Sequence, residues 1–200
     1  MVAIVIMGVA LTASPAQARK NVVATIAQIG QPLTEIAAGK VDIVTLMGEG
    51  VDPHLYRLTR SDVAKINRAD LILYNGLHLE AQMLGMLDRY ARRKPVIAIA
   101  DTLAGKNLLP WDGMTHDPHV WMDPGLWAEA LRAAVAALAE LDPPNAALYR
   151  ANAATYFAKL DGLNDGARQA LATIPARARA LVTAHDAFGY FGRAINSRMR

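Results

Sequence analysis

Four short runs in the first hundred residues are almost unbroken in apolar side chains: NVVATI (21–26), VDIVTLMG (41–48), DLILYNG (70–76) and PVIAIA (95–100). A strand with one wet face alternates apolar and polar residues, so a run without alternation reads as a strand covered on both faces. Helical patterns separate the runs, over 31–38, 61–68 and 79–91, with Ser61 as the expected N-cap of the second. The order βαβαβαβ predicts a parallel sheet with right-handed crossovers, an α/β fold. Ligands of such sheets gather beyond the carboxyl ends of the strands.

A helical region follows. Asp123 is placed to cap PGLWAEALRAAVAALAEL, with Pro124 in its first turn and Trp127, Leu131, Val135 and Leu138 on one apolar face. After DPPN comes a longer run, 146–172, with Asn145 as its expected cap. Its stripe steps through Tyr149, Ala153, Tyr156, Leu160, Leu163, Ala167 and Leu171. Such a helix spans roughly 40 Å, and Gly162 and Gly166 predict a bend in it. Pro175 ends it, and a fifth strand then leads into TAHDAFGYF, placing His185 at a strand's carboxyl end. The expected division is a leader over 1–18, an α/β lobe over 19–144, a connecting helix over 145–174 and the start of a second α/β lobe over 175–200.

The leader is read from MVAIVIMGVALTASPAQA, an uncharged apolar run closing on Ala16-Gln17-Ala18. That is the pattern of a cleaved secretory signal without its positive n-region. Export to the periplasm is therefore expected. The chain has no cysteine, which excludes disulfides, thiolate metal sites and thiol nucleophiles and argues against a lipid anchor. At 53% hydrophobic and 20% charged residues the composition is that of a globular chain. The net charge of +3 is scattered, and the one tight cluster, ARRKP, sits where it complements a helix C-terminus rather than nucleic acid. No G-x-S-x-G, Walker loop or G-x-G-x-x-G is present.

The chemistry lies in the histidines. Two of the five, His54 and His119, follow the same Asp-Pro. Proline fixes its own φ and holds the preceding residue extended, so each triplet presents an imidazole stiffly. Two surface turns that happen to end in histidine would read the same way. Asp52 and Asp117 suit capping of their own turns better than support of a ring.

Three segments taken together, LMGEGVDPHLYRLTRSDVAKINRADLILYNGLHLEAQM, DPHVWMDPGLW and TAHDAFGYFGRA, resemble the zinc/manganese solute-binding proteins of bacterial ABC importers, the TroA-like family. The resemblance implies a bilobal protein, two parallel α/β lobes joined by one long helix, with the metal held between them. It implies His54, His119 and His185 as ligands, with an acidic fourth ligand far along the second lobe. His116 matches no ligand position of the family and is read as a loop residue, and His78 is read as a surface residue at a helix start. It further implies a monomer that passes a divalent metal to a permease in the inner membrane. Three imidazoles and a carboxylate suit Zn2+ and are acceptable to Mn2+, and ligand preference favours zinc. Past GRA the family continues into a full second sheet, whereas this chain reads INSRMR. The reading is therefore of a chain truncated within its second lobe, His185 riding on a strand with no sheet to join, and metal bound weakly. The alternative is a zinc hydrolase or hydratase, in which three histidines leave a fourth position open for water.

Overall fold

The computed structural model describes residues 18–106, 108–111, 116–195 and 198–199. The expected leader, up to Gln17, lies outside the described residues. Strands β1 (Asn21–Ile26), β2 (Asp42–Met47), β3 (Leu71–Tyr74) and β4 (Val96–Ala98) form one parallel sheet in the order β2-β1-β3-β4. Val23 of β1 pairs with Val44 on one side and Ile72 on the other. Val22, Val23, Ala24 and Ile26 are all buried, as their unbroken apolar run requires of a strand covered on both faces. Because the chain winds one way from β1 to β2 and the other way to β3, the sheet has a switch point at the carboxyl end of β1.

Three helices follow the first three strands: α1 (Ala27–Ala37), α2 (Arg60–Arg68) and α3 (Leu84–Ala91). Helix α1 begins four residues earlier than its sequence pattern suggested. Gly30 and Pro32 look like breakers, yet both lie buried inside it. A Cβ at residue 30 would lie 2.0 Å from the Thr45 hydroxyl, so the helix rests on β2 at a distance only glycine permits. Ser61 is not the cap of α2. Thr59 is: its hydroxyl accepts from the Asp62 amide while the Asp62 carboxylate accepts from the Thr59 amide. Nor does the whole of 79–91 form one helix, since Ala81–Met83 is a separate 3-10 turn. The expected strand over 95–100 gives way to another such turn at Ala100. The ARRKP cluster closes a different helix from the one expected. Lys94 donates to the carbonyls of Ile66, Asn67 and Ala69, at the carboxyl end of α2.

Asp123 caps α4 (Pro124–Leu141) as expected, accepting from the amides of Gly125 and Leu126 at 3.1 Å. The buried face of α4, Trp127, Ala130, Leu131, Ala134 and Leu138, packs on the sheet and on α5 (Ala146–Ala172). Each fully buried leucine contributes about 1.5–3 kcal/mol. Helix α5 runs unbroken through Gly162 and Gly166. Asn145 does not cap it with its side chain, which donates to Asp142 instead. The stripe is buried only in its first half, at Tyr149 and Ala153 with Phe157 beside it, whereas Leu163 is 62% exposed. The near half is tied to α1 by Asn152, which donates to the Ile36 carbonyl, and by the Lys159–Glu35 ion pair.

The last strand does find a partner. Strand β5 (Ala180–Leu181) pairs in parallel with β6 (Arg198–Met199), and α6 (Gly189–Ala194) lies between them. The expectation of a strand with no sheet is corrected. Two residues of pairing hold it.

Candidate metal centre

The loop leaving β2 carries His54. Asp52 accepts from the His54 backbone amide at 2.9 Å, closing the turn that proline begins. The second Asp-Pro-His lies beyond β4 and is locked from below. Asn75, at the end of β3, donates its side-chain amide to the Pro118 carbonyl at 3.0 Å. Asn75 is fixed in turn by buried Glu80, which accepts from the amides of Asn75 and Gly76 and from the Thr25 hydroxyl. Burial pushes the Glu80 carboxyl up, against these three donors.

Asp117 does more than Asp52. It accepts from the His119 backbone amide at 2.9 Å and from His119 Nδ1 at 2.7 Å. The preference for simple capping therefore holds at Asp52 and fails at Asp117. With its Nδ1 proton given to a carboxylate, His119 offers the Nε2 lone pair outward. The ring is 2% exposed, with the indoles of Trp111 and Trp121 centred 5.2 and 5.3 Å from it.

His185 arrives from the other end of the chain, in the loop between β5 and α6. Its Nε2 lies 3.2 Å from His119 Nε2, and His54 Nε2 lies 3.1 Å from the same atom. Ligand atoms of all three fall within 4.8 Å of one another. Nitrogens on a tetrahedral zinc are about 3.3 Å apart, given the usual Zn–N length. The two edges that meet at His119 are thus close to those of a tetrahedral site. The reading of the two triplets as unrelated surface turns is overturned, and His185, expected on a strand with no sheet, reaches the same point. Burial, and then the neighbouring His119, lower the pKa of His54 and favour its neutral form. Three imidazole nitrogens aimed at one point repel unless a cation or a proton lies between them, which is what a metal-binding site requires. The triad forms one wall of an open cleft of about 410 Å3.

The two remaining histidines stay outside. His78 is exposed in a turn at φ 61, and His116 is a loop residue; neither belongs to the cluster. Sequence reasoning gave no part in the site to Asn75, Glu80, Trp111, Trp121 or Tyr190, whose hydroxyl reaches the backbone of Asp117. Asn75 and Glu80 stood in plain view in the strand-end stretch NGLHLE, where a buried acid five residues past an asparagine gives no periodic signal.

The family model of the zinc-uptake complex component A, periplasmic, matches residues 22–199. The chain belongs to this family. The manganese-binding lipoprotein MntA of Bacillus subtilis is 39% identical over 181 residues, 90% of this chain and 59% of that relative. The zinc-binding protein TroA of Treponema pallidum is 41% identical over 185 residues, 92% of this chain and 60% of the relative. The solved structure of the periplasmic zinc-binding protein TroA from T. pallidum superposes with a TM-score of 0.88 at 40% identity, covering 91% of this chain and 66% of that one. The chain thus spans about 60% of the length of these curated relatives. The fold is that of the zinc-uptake component A family: a parallel-sheet lobe followed by the long helix α5.

Proposed function

We propose that the chain captures a divalent transition metal outside the cytoplasm and passes it to the permease of an ABC-type importer. One observation carries this reading: the convergence of His54, His119 and His185 on a point at the carboxyl edge of the sheet. Zinc is favoured over manganese because three imidazoles suit the borderline-soft ion. Relatives are named for either metal, and a cadmium-bound structure from Candidatus Liberibacter asiaticus has a TM-score of 0.81 at 29% identity. The 1–18 leader and the lobe boundaries at 144 and 174 are part of the same proposal. Several relatives are named lipoproteins, so the lack of cysteine is no argument about membrane attachment.

The hydrolase alternative is set aside. The family's members are metal-binding proteins of transport. The test is calorimetric titration with Zn2+ and Mn2+ of the chain and of five single variants. Replacement of His54, His119 or His185 with alanine should each weaken zinc binding strongly, and His78→Ala and His116→Ala should leave it unchanged. Equal losses at all five histidines would refute the assignment.

A further inference from the structure

We propose that Tyr190 is a positioning residue for this site: its buried hydroxyl ties the segment carrying His185 to the loop carrying His119 and so sets the distance between the two imidazoles. The proposal rests on the metal-capture reading. His185 is exposed, and its own backbone bonds are local, from the Thr183 hydroxyl and the Ala187 amide to its carbonyl. Neither holds it to the sheet. Strand β5 contributes only two paired residues. Five residues after His185 the situation changes. Tyr190 is fully buried, and its hydroxyl donates to the Asp117 carbonyl at 2.8 Å and accepts from the Leu109 amide at 3.1 Å. Asp117 and Leu109 are themselves paired across the His119 loop, Asp117 N to Leu109 O at 2.8 Å. The hydroxyl therefore ends on the backbone of the one residue whose carboxylate orients the His119 ring.

The seat is close-fitting. A Cβ at Gly189 would lie 3.0 Å from Leu109 Cδ1 and 3.2 Å from Asp117 Oδ2, so a side chain at residue 189 would push on both neighbours. Without the hydroxyl, a half-buried amide and a buried carbonyl each lose a partner, and the arm bearing His185 keeps only looser anchors.

The test compares Tyr190→Phe with Tyr149→Phe. Tyr149 is also fully buried, and its hydroxyl donates to the Asp142 carboxylate at the junction of α4 and α5, away from the triad. Zinc affinity and the visible spectrum of bound Co2+ are measured on each. Tyr190→Phe should weaken zinc binding about tenfold or more and change the cobalt bands as imidazole coordination is lost. Tyr149→Phe should leave affinity and bands as in the parent chain. Gly189→Ala keeps the hydroxyl but crowds its seat, and should weaken binding in the same direction. Parent-like affinity in both site variants, or an equal loss in Tyr149→Phe, overturns the proposal. Amide exchange in the metal-free chain decides separately: Tyr190→Phe should speed exchange at Ala187 as well as at Leu109, and unchanged exchange at Ala187 also overturns it. If the parent chain takes up neither zinc nor cobalt, the metal reading fails while the exchange result still judges the strut.

Discussion

His119 and His54 share a tripeptide and differ in what their aspartates do. At Asp117 the carboxylate holds both the backbone and the ring, at Asp52 the backbone alone. Asp117→Ala should therefore lower zinc affinity by about 10–100-fold, and Asp52→Ala by much less, read by calorimetry. The acid dependence follows from His54. Its folded pKa is lowered below the ordinary 6.5, so in acid the unfolded chain takes up the proton first. Stability of the metal-free protein is then fully present above about 6.5 and declines as the pH falls below it. Zinc affinity should fall over the same range, because a coordinating imidazole must be neutral. Chemical denaturation and zinc titration from pH 8 to 5 would check both; a metal-free stability that rises on acidification through that range would contradict the sign. The three histidines of the triad were legible because proline and motif mark them. The unequal aspartates were not, since an identical Asp-Pro-His gives no sign of which copy is buried.

Secondary-structure elements were legible where their signals are local. The cap at Asp123 could be read directly, an acceptor followed by proline and an apolar face. Helix α1 could not, because its Gly30 answers to Thr45 of the neighbouring strand, which no local pattern announces. Gly30→Ala should accordingly destabilise the fold, although alanine is the better helix former, and a lowered melting temperature would show it. Helix α2 carries an acid-sensitive cap. Burial alone would raise the Asp62 carboxyl. Bonds from the Thr59 and Tyr56 hydroxyls, the Thr59 amide and Lys65 outweigh that effect and hold it at about 2. An unfolded aspartate titrates near 3.8, so this contribution is complete above that pH and is lost as the pH falls through about 2. Thr59→Ala should cost about 1 kcal/mol and shift acid unfolding to higher pH, measured by circular dichroism.

For the molecule as a whole, unbroken apolar runs disclosed a parallel sheet but not its order, since periodicity says which faces are covered and nothing about which strands are neighbours. The same limit applies to α5. Its stripe is continuous in sequence, yet burial stops near Phe157, where α1 and α4 stop covering it. A ligand that binds only the folded state stabilises it by about 2.7 kcal/mol at a hundredfold excess over Kd. Saturating zinc should therefore raise the melting temperature of this chain, and the His119→Ala variant should lose that rise. His119 is enclosed by indoles, whereas His185 stands exposed to solvent. An ion held by such unequal partners departs in order, parting first from the nitrogen that water or a competing chelator can reach. Its escape rate should then climb with chelator concentration in a stopped-flow experiment, as attack from the open side replaces His185 before the enclosed bond to His119 breaks.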